Sequence, residues 1–243
     1  MEPTVLPGGT FERFAVPLAI LVAGALIGVG VFFGLHQGSG GSGAPVAPKV
    51  NIKDVKISES NPYIGDKNAP VTLAYWFDYQ CPFCKAVDVG GVAGIPIEPS
   101  IPTLITDYVN TGKVKIVFKD FAFLGEDSIT AASYEHAIWE LYPAKFLEWH
   151  TAMFKAQDDE GDQGFGDGAS IIVLTRKIPG IDADQVKAHV MAKKDTYAKM
   201  IEEDRNEAAK FGINGTPGFI TGKVLISGAE QLSVFKQAID QQL

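Results

Sequence analysis

Two stretches of the chain stand out by hydropathy alone. Residues 15–35 carry no charge. As a helix those residues would extend ~31 Å, about the hydrocarbon thickness of a bilayer. A soluble helix with no polar face is unusual in a domain of this size, so the pattern predicts a single transmembrane anchor. Gly24 and Gly28 within it suit a membrane helix. The second stretch, residues 71–85, is an apolar, β-branched and aromatic run that ends in Cys81-Pro82-Phe83-Cys84. The run predicts a buried strand, and the residues after it predict a helix opening at the first cysteine.

Between and beyond these stretches the periodicity changes repeatedly. Residues 1–14 read as a short polar tail and residues 36–49 as a Gly/Ser/Pro-rich linker, leaving 50–243 as the folded domain. The helix after Lys85 is soon interrupted, because Gly90, Gly91, Gly94, Pro96, Pro99 and Pro102 oppose its continuation. A second helix is expected over 103–110 and an alternating strand over 114–119. A helical block follows over 128–157, divided at Pro143, then helices over 170–177, 183–193 and 196–211. Strands at 219–221 and 223–226 predict a hairpin turned at Thr221-Gly222, and a last helix is expected over 231–241.

Charge narrows the partners. The 243 residues carry a net charge of −8 with no basic stripe, which argues against nucleic acid. Arg13 precedes the uncharged span, and no Lys or Arg occurs from 36 to 48 after it. The positive-inside rule therefore predicts a cytoplasmic N-terminus and an extracytoplasmic C-terminal domain.

Cys81 and Cys84 are the only cysteines. At i and i+3 their sulfurs share one helix face. The first would sit at the helix N-terminus, where free N–H groups and the helix dipole favour a thiolate. Pro82 falls at the first helical position, where a missing N–H costs nothing. A zinc site needs two more ligands, and His36, His136, His150 and His189 contain no pair at ligand spacing, so no metal is expected. His136 and His150 read as packing residues. The loop at 158–167 alternates Asp158, Glu160 and Asp162. It fails as an EF-hand, with Gln163 at the required glycine and Ala169 at the closing glutamate. A dithiol that exchanges disulfides is the reading that remains, with a stapling disulfide as the plainer alternative.

The order strand, Cys-x-x-Cys helix, strand, helical block, Gly-Thr-Pro, hairpin, helix resembles an α/β thioredoxin-like fold with a helical insertion at about 122–195. It is similar to the DsbA-like thiol–disulfide oxidoreductases. The match is carried by Tyr63-Ile64-Gly65-Asp66 with Ala69-Pro70-Val71, by Phe77 to Lys85, by Lys119-Asp120-Phe121 and by Gly215-Thr216-Pro217. The resemblance implies that Cys81 is the nucleophile and Cys84 the resolving thiol, with Pro82 and Phe83 tuning the potential. It implies that Pro217 is a cis-proline facing the dithiol and that Thr216 contacts the substrate chain. It further implies an oxidant without cofactor, acting on cysteine-containing exported proteins and reoxidised by a membrane redox partner. An isomerase or reductase would use the same dithiol. Two departures stand out. Tyr75 occupies the position, six before the first cysteine, where relatives often place a buried acid. The Gly/Pro-rich segment at 89–102 is also longer than usual.

Overall fold

The computed structural model describes residues 49–243. The predicted tail, the span at 15–35 and all but the last residue of the linker lie outside them. Among the described residues no helix is long and apolar enough to cross a membrane.

Five strands form one sheet: β1 (Tyr63–Ile64), β2 (Val71–Phe77), β3 (Val114–Asp120), β4 (Gly218–Thr221) and β5 (Val224–Ser227). Their order is β1-β3-β2-β4-β5, with β2 and β3 parallel and every other pair antiparallel. The parallel pair needs a crossover, supplied by α1 (Pro82–Asp88) and α2 (Ser100–Leu104), the latter continuing as a π-helical turn at Ile105–Val109. The helical block is inserted between β3 and β4. It comprises α3 (Glu126–Leu141), α4 (Phe146–Ala156), α5 (Gly168–Thr175) and α6 (Ala183–Ala192), and α7 (Lys194–Lys210) leads back to the sheet. The helix α8 (Leu232–Asp240) closes the chain. This is a thioredoxin-like α/β fold with a helical insertion.

The period of two along β2 explains how both sheet faces are covered. Val71, Leu73, Tyr75 and Phe77 point into the larger core, shared with α1, α4 and α8. Ala74 and Trp76 point into the other, with Ala208, Phe211, Ile213 and Ile220. Both faces being buried, β2 reads as a continuous apolar run. Tyr75 stacks on Phe219 of β4 at 4.4 Å between centroids.

Some boundaries differ from the sequence reading. The helix expected over 103–110 starts at Ser100 and takes Pro102 into its first turn. The first four N–H groups of a helix have no partner inside it, so a proline there breaks nothing. The hairpin turns at Gly222-Lys223, one residue later than expected, with Gly222 at φ +55°.

A buried ionic cluster ties α7 to the sheet. Lys119 of β3 lies 2.5 Å from Asp204 and 3.0 Å from Glu207, and donates to the Lys56 carbonyl at 3.0 Å. Asp204 also accepts from the Asp120 N–H at 3.1 Å. Burial alone would push the ammonium of Lys119 down, but Asp204 and Glu207 together raise it. Burial pushes Asp204 up to about 6 against the pull of Lys119, with Asp120 adding to the rise. Lys119 is therefore the charge that the cluster holds most firmly.

Candidate active site

The site begins with the turn that follows β2. Asp78 is buried at the strand's end, and its carboxylate accepts from Gln80 N at 2.8 Å, Phe123 N at 2.9 Å and Leu124 N at 3.2 Å. The Asp78 carbonyl accepts from Cys81 N at 3.1 Å. One residue thus folds the turn and fastens it to the loop after β3. A second clamp comes from the helical block. Gln157, just past α4, donates through its side-chain amide to the carbonyls of Tyr79 at 2.6 Å and Cys81 at 3.0 Å. Lys85 in turn donates to the Gln157 carbonyl at 2.7 Å.

Cys81 caps α1 in extended conformation, and Pro82 takes the first helical position. Both cysteines are free, and Cys84 is fully buried while Cys81 is 4% exposed. The Cys81 thiol points at the Thr216 carbonyl, 3.4 Å away, and the Thr216–Pro217 bond is cis. The structure thus brings Cys81, Pro82, Cys84, Thr216 and Pro217 together, with Phe83 exposed beside them. Phe83 and Thr216 line an open groove of about 500 Å³ with Gly94, Ile95, Pro96, Ile97, Gly228 and Ala229. The long segment at 89–102 therefore builds one wall of the surface next to the sulfurs.

The two thiols diverge in acidity. A hydrogen bond from Cys84 lowers Cys81 most. It outweighs burial with help from Thr216 and from the N–H groups of Cys84 and Phe83, bringing Cys81 from 9.0 to about 7. Burial, then the bond to Cys81, raises Cys84 well above its ordinary value. Iodoacetamide should therefore alkylate Cys81 of the reduced protein with a pH midpoint near 7 and leave Cys84 unmodified. Peptide mapping after alkylation at pH 5 to 9 checks this. Equal labelling of both thiols would contradict the arrangement.

Several residues of the site were not singled out from the sequence. Asp78 lies inside the motif, but its role appears only when 123–124 folds over it. Gln157, 76 residues after Cys81, gave no signal. His136 and His150, read as packing residues, are buried but hydrogen-bonded, to Asp120 at 2.7 Å and Asp88 at 3.0 Å. His189 pairs with Glu140 at 2.6 Å, and His36 lies outside the described residues. Two acids of the 158–167 loop bind backbone N–H groups: Asp158 accepts from Phe165 N within the loop at 2.7 Å, and Asp162 from Asp127 N at the start of α3 at 3.0 Å.

This geometry agrees with comparisons across known proteins. The sequence pattern of the thioredoxin family matches residues 58–241. A protein of Bacillus anthracis described as a probable disulfide bond formation protein D is 27% identical, over 80% of this chain and 86% of its own. The oxidised crystal structure of BdbD from Bacillus subtilis superposes with a TM-score of 0.65 at 25% identity, covering 81% of this chain and 97% of that one. The thiol–disulfide exchange protein α-DsbA2 of Wolbachia pipientis gives a TM-score of 0.63 at 29% identity, covering 76% of this chain and 88% of that one. With its Cys-x-x-Cys helix, its helical block and these relatives, the chain belongs to the thioredoxin family as a DsbA-like protein disulfide oxidoreductase.

Proposed function

We propose that Cys81 and Cys84 are the redox dithiol and that the chain uses it as an oxidant of exported proteins. The observation that carries the dithiol assignment is the Cys81 sulfur, its thiol lowered from 9.0, held at a helix N-terminus against the Thr216 carbonyl. In the oxidising direction a client thiolate attacks the Cys81 sulfur of the Cys81–Cys84 disulfide. The S–S bond breaks, its electron pair leaves on Cys84, and a mixed disulfide joins client and Cys81. A second client thiol, as thiolate, attacks the client sulfur of that bond. The client gains a disulfide and Cys81 leaves as thiolate. A lowered Cys81 stabilises the reduced enzyme and so strengthens the oxidant. Pro82 and Phe83 tune this balance, and the Thr216-Pro217 loop receives the client backbone while the groove beside Phe83 takes its apolar side chains.

The oxidising direction is supported by the description of the Bacillus relatives as disulfide bond formation proteins. The uncharged span at 15–35 with Arg13 before it supports a domain tethered outside the cytoplasm. A membrane redox partner there would return the dithiol to its oxidised state. A second reading, isomerase or reductase, is favoured by the size of the Cys81 shift, since about 7 is the range of reducing thioredoxins rather than of the strongest oxidants. The reduction potential separates them. Equilibration with glutathione buffers is expected to give a value above about −150 mV for the oxidant. A value near −270 mV would assign a reductant, and one far below −300 mV a stapling bond.

A further inference from the structure

Cys81 stands at φ −78° and ψ 119°, and both angles are held by hydrogen bonds. Its N–H donates to the Asp78 carbonyl at 3.1 Å, which fixes the first. Its carbonyl accepts from Lys85 N at 3.1 Å and from Gln157 Nε2 at 3.0 Å, which fixes the second. The Lys85 N–H travels with α1, whereas the Gln157 amide belongs to a different element. Gln157 is 5% exposed, where the chain leaves α4, and its amide also takes the Tyr79 carbonyl at 2.6 Å. Lys85 closes the bracket from the other direction, since its ammonium donates to the Gln157 carbonyl at 2.7 Å. With the backbone of Cys81 held, its sulfur keeps only the side-chain torsion. The Thr216 carbonyl, 3.4 Å away, marks where that sulfur comes to rest.

Resting on the reading of Cys81 and Cys84 as the dithiol, we propose that Gln157 is a positioning residue, which aligns the Cys81 sulfur with the Thr216-Pro217 loop so that a client chain on that loop meets the sulfur in line. The step it serves is the opening of the disulfide. A client thiolate bonds to the Cys81 sulfur, the Cys81–Cys84 bond breaks, and the electron pair leaves on Cys84. The attacking sulfur must lie on the extension of the breaking bond. A client cysteine whose backbone is seated on the loop has little freedom to search for that line, so the hold on Cys81 decides whether the two meet. A displacement of about 1 Å there costs about 10²-fold in rate. Without the Gln157 donor the Tyr79 carbonyl loses its partner and the Cys81 carbonyl keeps only the Lys85 N–H, so the turn can shift with α1 against the loop. Gln157 acts through the Cys81 backbone. A small dithiol has no backbone to seat on the loop and approaches from any open side, so its attack does not depend on the alignment.

Two reductants of different size provide the test. The oxidised full chain is mixed at pH 7 with a peptide carrying two cysteines or with dithiothreitol, and opening of the Cys81–Cys84 bond is followed by rapid acid quench and mass spectrometry. Gln157→Met keeps the length of the side chain and removes the donor. It is expected to slow the peptide by about 10²-fold and dithiothreitol by no more than a few-fold. Lys85→Met, at a half-buried position, loosens the same bracket from outside and should slow the peptide in the same selective way, by less. The double variant should be no slower than Gln157→Met alone, because both changes act through one amide. Peptide and dithiothreitol slowed equally, or a wild-type peptide rate in Gln157→Met, overturns the assignment. Additive slowing in the double variant also overturns it, because Lys85 then acts by its own charge. Should Gln157→Met fail to fold, the selectivity of Lys85→Met decides. If the oxidised wild type reacts with neither reductant, the dithiol reading fails instead.

Discussion

Cys81→Ser is expected to lose oxidation of a peptide dithiol by on the order of 10⁴- to 10⁶-fold, the loss seen when a covalent nucleophile is removed. No other thiol can take over, because Cys84 is fully buried and its acidity is suppressed by that burial. The fold should survive. The Cys81 thiol contacts the Thr216 carbonyl, and a serine hydroxyl can make the same contact. Cys84→Ser should behave differently: Cys81 still attacks, nothing resolves the product, and mixed disulfides accumulate. Fluorescence of a dithiol peptide measures the first effect and non-reducing electrophoresis the second. Retained oxidation in Cys81→Ser would remove the dithiol from the mechanism.

Lys119→Ala is expected to be the most damaging single change to stability. It leaves Asp204 and Glu207 facing each other without a cation, and breaking a buried pair in this way costs about 3–5 kcal/mol. Against a typical total of about 5–15 kcal/mol, that is a large share. The melting temperature should fall by on the order of 10 °C. The deficit has a definite pH dependence. Folding raises the Asp204 carboxyl to about 6 from its ordinary 3.8, and losing Lys119 raises it further. The folded variant therefore binds more protons than the unfolded chain between these values. Its penalty is full above the folded value and shrinks as pH falls towards 4. Thermal melts at pH 8 and pH 4.5 test the sign. A combined Lys119→Met, Asp204→Asn, Glu207→Gln chain, with no buried charge at the cluster, should recover most of the loss.

The dithiol and the strand before it were legible because their signals are local. Alternation and β-branching mark β2, and the cysteine spacing and Pro82 mark the start of α1. The hairpin and most helices were legible for the same reason, through periodicity and glycine stops. The start of α2 was not, because Pro102 reads as a breaker unless the helix register is known. The supports of the site were hidden for a different reason. Asp78, Asp88, His150 and Gln157 matter through partners 13 to 78 residues away, and pairing at that range leaves no pattern in a linear chain.

The Gln157 clamp has a mechanical meaning. The Tyr79 carbonyl finds its partner in an amide at the end of α4, and the Cys81 carbonyl shares that amide with the Lys85 N–H, so the helical block holds in place a turn that Asp78 folds. Fraying at that helix end strands the Tyr79 carbonyl and leaves the Cys81 carbonyl to the Lys85 N–H alone. Opening of the block therefore loosens the cysteine turn, and the two are coupled. Whatever grips the outer surface of α4 thereby holds a brake on the sulfur chemistry beneath it.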